Sequence, residues 1–258
     1  MTEITALIQS ALSEAGPWAK DASVIFLRVG CAVGFLPAFG DQSVPMRIRL
    51  GAAVLLTIAM TPALAPLNVT LAQAWIPEMV IGVFLGLMVR IIVLALMTAA
   101  SIAANASSLS QVFPTQSEPL PAIGHLFVLG GLAIGLQQGL HVRLVEYLLI
   151  SYKILPAAQW TQSNLLAKMI TAQGTRALEL AFMLAMPFVI GGLLYNLALG
   201  AINRAMPQLM VTLIGAPALS LGSLILLALA SPLLLQVWLD ALNHLLMQPN
   251  AVFESLGR

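Results

Sequence analysis

The apolar stretches of this chain are long enough to span a bilayer, yet proline and arginine interrupt them repeatedly. Pro37, Pro62, Pro66, Pro187, Pro207 and Pro217 fall within or beside these stretches, and Arg28, Arg90 and Arg204 are embedded in them. In lipid such residues are costly, and they are tolerated where neighbouring protein satisfies them or a wet cavity takes them. Apolar residues make up 60% of the 258 and charged residues only 8%, against roughly a quarter charged in a soluble domain. So few charges cannot cover the surface of a soluble fold, and lipid or other apolar protein must cover it instead. The pattern describes one part of a larger membrane assembly.

The length accommodates about six spans at roughly 20 residues each. With a formal net charge of +1 nothing suggests a nucleic-acid binder, and no basic run marks a lipid-headgroup clamp. Cys31 is the only cysteine; it lies beside Gly30 and Gly34 and reads as a small buried apolar side chain. The first twenty residues lack the basic region and continuous apolar run of a signal peptide, so insertion is expected to use the first hydrophobic segment itself. No stretch is long enough to fold as a separate soluble domain. Residues 1–258 are expected to form a single membrane-embedded domain of the all-α class.

Residues 1–15 place Ile4, Leu7, Ile8, Ala11 and Leu12 on one helical face, the spacing of an amphipathic interfacial or docking helix. Gly16-Pro17 ends it. The first hydrophobic segment runs from about Ala22 to Phe39 and the second starts near Leu50, after Val44-Pro45-Met46-Arg47-Ile48-Arg49. The third covers Ile76 to Ala104 with Arg90 near its middle. A Pro/Ser-rich loop comes next at 105–124, NASSLSQVFPTQSEPLPAIG, where Pro114, Pro119 and Pro121 oppose a continuous helix. The fourth segment, His125 to Leu149, carries Arg143 and Glu146 three apart, close enough to pair. The polar stretch Ser151 to Thr175 carries Lys153 and Lys168 and contains the run that resembles an aqueous connection, and the fifth segment covers Ala177 to Ala198. The last apolar stretch, Leu209 to Leu239, is too long for one straight span and is expected to be cut at Gly215-Ala216-Pro217. Beyond it Gln236, Asp240, Asn243, His244 and Gln248 form one polar stripe opposite leucines.

If the six segments alternate, Lys20, Lys153, Lys168, Arg176 and Arg258 collect on one side and Arg47, Arg49 and Arg204 on the other. That excess points to cytoplasmic termini. Gly30 with Gly34, Gly82 with Gly86, and the series Gly131, Gly135 and Gly139 recur at a spacing of four, which lets helix backbones approach closely. The tandem series in the fourth segment is the strongest of these packing signals.

Signatures of catalysis are missing. Intramembrane proteolysis would need a metal-binding HExxH, a GxSG serine or a buried acid pair. Asp21, Asp41 and Asp240 all lie at segment ends, so no two acids are placed to share a proton. His125, His141 and His244 are far apart in sequence, with no ligand-spaced partner, so no metal or cofactor is expected. A small-solute transporter is the more serious alternative, because broken helices can build midplane sites. No corresponding pair of broken helices in two halves supports it.

Several stretches together resemble the FliR/SctT family, membrane subunits of the type III protein-export gate in flagella and injectisomes. They are Phe26-Leu-Arg28-Val-Gly30, Leu36-Pro-Ala-Phe-Gly40, Val44-Pro45-Met46-Arg47-Ile48-Arg49, Gln111-Val112-Phe113-Pro114, Ala185-Met-Pro187, Gly200 to Pro207-Gln208, and Ile214-Gly-Ala-Pro217. They lie in the family's order across nearly the whole chain. The Val-Pro-x-Arg-x-Arg pattern is more similar to the flagellar branch; the injectisome branch stays open.

The resemblance implies about six segments arranged as bent, broken helical hairpins in a hetero-oligomeric gate. Its partners would be FliP-like and FliQ-like small membrane subunits, FlhB-like and FlhA-like export components, unfolded export substrates and membrane lipid. It implies the bacterial inner membrane, at the flagellar basal body, and no enzyme activity. The loop at Gln111 to Gly124 would help plug the closed pore, with Gln111, Val112, Phe113, Pro114, Glu118, Pro119 and Pro121 as its gating residues. Phe113 would be the bulky stopper, although Thr-Gln-Ser-Glu stands where relatives carry Asp-Pro and more glycine. Arg28, Pro37, Pro45, Arg47, Arg49, Arg90, Arg204, Pro207, Gln208 and Pro217 would be structural or interface residues.

Overall fold

A computed structural model describes residues 16–37, 39–40, 44–67, 69–107, 122–161, 163–205, 211–247 and 249. The expected helix at 1–15, the gating residues Gln111 to Pro121, and Pro207, Gln208 and Gln248 lie outside them.

Among the described residues the regular structure is helical: α1 (Pro17–Val33), α2 (Met46–Met60, continued by a 3-10 turn at Thr61–Ala63), α3 (Leu71–Ala106), α4 (Ala122–Gln137), α5 (Leu140–Ile154), α6 (Ser163–Ala205) and α7 (Val211–Met247). The chain is an all-α membrane protein. Among the described residues four stretches are long and apolar enough to cross a bilayer, Met46–Ala63, Leu71–Ala106, Ser163–Ala205 and Pro217–Met247, and a fifth if His125–Gln137 and Leu140–Ile154, bent by 78°, count as one broken span. Set against the six hydrophobic segments of the sequence, the difference is the first. Its helix α1 has 17 residues and a length of roughly 25 Å, short of a hydrocarbon core of about 30 Å.

Two boundaries differ from the sequence reading. Residues 163–175 are helical and form the first turns of α6, which runs 43 residues with Pro187 inside it. Helix α7 runs through Gly215-Ala216-Pro217 without a cut and contains Pro232 as well. Each internal proline lacks the N–H that would bond the carbonyl four residues back. At Pro232 that carbonyl belongs to Ala228, and the Ser231 hydroxyl donates to it at 3.4 Å. Some threonine hydroxyls are likewise satisfied on their own helix. Thr57 donates to Ala53 O (2.7 Å) and Thr98 to Leu94 O (2.9 Å), so a hydroxyl in an apolar helix is satisfied by the carbonyl one turn back.

The described residues fall into two compact units, one within 1–91, 136–174 and 242–258, the other within 92–135 and 175–241. In the first, α1 lies on α3 at close range. A Cβ on Gly82 would stand 2.3 Å from Arg28 O, and one on Gly86 2.7 Å from Ala32 O. The two glycines are one turn apart and meet two α1 backbone positions one turn apart, so α3 accepts the α1 backbone directly. Tyr147 of α5 is fully buried here, its hydroxyl donating to Leu85 O at 3.4 Å.

In the second unit the centre is Trp238, with no solvent exposure, whose indole N–H donates to Ile92 O at 2.9 Å. Gly131 makes room for it, since a Cβ there would stand 2.9 Å from the ring. Gly192 of α6 admits the end of α3 in the same way, 2.3 Å from Ala106 O. Tyr195 donates to Gly215 O at 2.8 Å, tying α6 to α7. Of the polar stripe read along the end of α7, Gln236, Asp240 and His244 are exposed and Asn243 is half-buried, while Leu235, Leu239, Leu242 and Leu246 are buried.

Candidate functional site

The most organised polar site is centred on Arg28 in α1, and it is sealed. Arg28 and Glu78 both have no solvent exposure. Two parallel bonds join them, Nε to Oε2 at 2.7 Å and Nη2 to Oε1 at 3.0 Å, the bidentate geometry that a planar guanidinium gives with a carboxylate. The remaining donors go to α5 and the turn after it: Nη1 to Ser151 Oγ (3.1 Å) and Nη2 to Leu155 O (2.9 Å). The guanidinium carbon also lies 3.8 Å from the centroid of the Tyr152 ring, a cation–π contact that the dry surroundings strengthen.

Glu78 is equally occupied. Its Oε1 accepts the Ala158 N–H at 3.0 Å and its Oε2 the Tyr152 hydroxyl at 3.4 Å. Ala158 has φ 59°, a left-handed conformation that costs an L-residue about 1–2 kcal/mol; the bond to a buried carboxylate holds it there. Every polar atom of this cluster has a partner, which is the condition under which a buried ion pair is tolerated. Three helices and one turn therefore converge on a single charge pair. The chemistry is positional: neither group is open to a substrate, and nothing in the cluster is a poised nucleophile.

The other expected residues are spread across the helices. Pro37 is buried in the turn after α1, and Pro45 is the N-cap of α2. Arg47 is exposed, and Arg49 donates from Nε to Val44 O at 3.1 Å. Arg90 is half-buried and donates to Gly40 O at 3.3 Å. Arg204 stands exposed in the last turn of α6, and Pro217 is exposed on α7. Arg143 turns to the side-chain oxygen of Asn243 and not to Glu146. The glycine series of the fourth segment is corrected: Gly131 is a close-packing position, but Gly139 has φ 85° and caps α5 in the turn. Its freedom from a Cβ serves the bend, not a helix face.

Sequence pattern does not single out Glu78, Ser151 or Tyr152 as members of this cluster. Of the three, only Glu78 carries a readable signal, an acid inside a hydrophobic segment, which calls for a cationic partner.

Residues 21–245 match the family model described as bacterial export proteins, family 1. The chain belongs to this family. Among curated relatives, the flagellar biosynthetic protein FliR of Caulobacter vibrioides is 29% identical over 87% of this chain and 94% of its own length. The protein of that name from Escherichia coli is 28% identical over 81% and 83% respectively, and that from Bacillus subtilis 26% over 75% and 79%. The stretches from Phe26 to Pro217 all lie within the matched span. Arg28 and Glu78 both fall inside the matched span.

Proposed function

We propose that this chain is a membrane subunit of the flagellar type III export gate. It acts as one membrane-embedded domain in the bacterial inner membrane, at the flagellar basal body. There it helps to form the channel through which unfolded flagellar proteins cross. It turns over nothing covalently.

The observation that carries this reading is a mismatch between helix length and bilayer thickness. Helices α3, α6 and α7 have 36, 43 and 37 residues, or roughly 54, 65 and 56 Å at 1.5 Å per residue. The hydrocarbon core is about 30 Å thick. Fitting 54 Å into it by tilt alone needs about 56°, beyond the range of about 0–40° that spans adopt. Yet the faces are apolar and uncovered: Phe182, Met186, Leu193 and Leu197 on α6, and Leu221, Ile225, Leu229 and Leu233 on α7, are exposed. Lipid covers part of this surface, and apolar protein must cover the rest. FliP-like and FliQ-like subunits fit that need, with FlhB-like and FlhA-like components completing the apparatus.

The flagellar names of the relatives favour the flagellar over the injectisome branch. Within this reading, Gln111 to Pro121 form the plug of the closed pore, with Phe113 its steric element. Arg90, Arg204, Pro207 and Gln208 serve the subunit interfaces. Deleting the gene in its own host tests the proposal. Loss of filament assembly and of flagellar protein export, restored by the intact gene, is expected; normal filaments in the deletion strain would reject it.

A further inference from the structure

The first unit contains a cavity of about 310 Å³ between α1, α2 and α3, lined by Phe26, Gly30, Cys31, Gly34, Leu50 and Met79, with Arg49 on its wall. Its floor is made by two glycines whose faces no other helix fills. A Cβ on Gly30 would meet only the ring of Phe26 at 3.7 Å, and one on Gly34 only Cys31 O at 3.4 Å, both on α1 itself. The contrast with Gly82 and Gly86, where the α1 backbone stands within 2.3 and 2.7 Å, marks this glycine face as open. At about 310 Å³ the cavity holds less than one turn of a helix, which is about 10 Å across with its side chains and rises about 5.4 Å per turn. A single alkyl chain suits it.

The second wall, α2, sets the surroundings. Its apolar stretch Met46–Ala63 has 18 residues, about 27 Å, so unlike the long helices it matches the hydrocarbon core. Leu50, Val54, Leu55 and Ile58 are exposed. A face of this length and composition is suited to acyl chains. The first turn of α2 carries Arg47, exposed, and Arg49, on the cavity wall, and an arginine at the end of a bilayer-matched helix sits at headgroup level. An apolar slot with cations at the headgroup end is complementary to one kind of molecule, an amphiphile with an alkyl chain and an anionic head.

We propose that the cavity between α1 and α2 is a binding site for an anionic glycerophospholipid of the surrounding bilayer, one acyl chain over Gly30 and Gly34 and the phosphate at Arg47 and Arg49. The site is independent of the export channel.

Cys31 lines the cavity and is half-buried, which makes it a built-in reporter. The chain, purified in its native complex, is incubated with phosphatidylglycerol or with phosphatidylcholine of the same chains. Bound lipid is then counted by native mass spectrometry, and the rate of Cys31 alkylation by a maleimide is measured in parallel. At least a fivefold preference for phosphatidylglycerol is expected, with matching protection of Cys31. Gly34→Leu, which fills the floor, should abolish retention of both lipids, and Arg47→Gln with Arg49→Gln should abolish the preference. If Gly34→Leu does not assemble, protection of Cys31 in the unaltered chain decides. Equal retention of the two lipids, retention that survives Gly34→Leu, or crosslinking of Cys31 to another subunit in place of lipid protection would overturn the proposal.

Discussion

Arg28 in α1 and Glu78 in α3 face each other without solvent exposure, joined at 2.7 Å from Nε to Oε2. Their importance shows when one partner is removed. A buried pair adds little net stability over an apolar pair of like volume, but an uncompensated buried charge costs about 3–5 kcal/mol. Arg28→Met and Glu78→Leu should each sharply lower the thermal stability of the extracted complex. The double variant should recover much of the loss, and a double-mutant cycle measures the coupling. Additive losses would show that the pair is not what joins α1 to α3.

Glycines of the same sequence type should respond with opposite sign. Gly82→Ala places a methyl 2.3 Å from Arg28 O, whereas Gly51, exposed on α2, has nothing within 4 Å. Overpacking of this kind typically costs about 1–3 kcal/mol, while alanine in an open helical position gains about 0.5–1 kcal/mol over glycine. Thermal unfolding of the two variants in one detergent should show a lowered midpoint for Gly82→Ala and an unchanged or raised one for Gly51→Ala.

Trp238 combines volume and a hydrogen bond, and two substitutions separate them. Trp238→Phe keeps most of the packing and removes the indole bond to Ile92 O (2.9 Å), a carbonyl inside α3 that keeps its helical bond, at about 0.5–1.5 kcal/mol. Trp238→Ala adds a cavity and should cost about 3–5 kcal/mol. Unfolding midpoints that fall in this order support a packed centre; equal midpoints would place the whole contribution in the hydrogen bond.

The sequence made the class of fold plain and left its tertiary pairings hidden. Arg28 stands out inside a hydrophobic run, but Glu78 lies fifty residues away near the polar edge of another. Only the close approach of α1 to α3 at Gly82 and Gly86 brings them together, and apolar periodicity does not encode partner choice. The prolines mislead in the opposite direction. Pro187 and Pro217 signal breaks, yet α6 and α7 run through both, because proline in an apolar helix is tolerated when neighbouring groups satisfy the freed carbonyl. The C-terminal stripe is legible because the polarity of one helix face against the other is a local property. Among the glycines, spacing alone does not separate Gly131, packed on Trp238, from Gly139, which shapes a turn.

Phe113 to Pro121 are the proposed gating segment. Shortening this loop should raise the resting leak of ions across the membrane while the rest of the complex assembles. Ion flux into vesicles carrying the complex measures it, with unaltered complex as the reference. Unchanged leak with export intact would remove Phe113 from the plug.

Coverage of the apolar faces of α6 and α7 by other subunits underlies the proposed role in the gate. Its most direct test is the native mass and composition of the tagged chain after mild detergent extraction from its own cell. Recovery in a large complex with two other small hydrophobic proteins is the expected result. A well-behaved monomer or homodimer would contradict it.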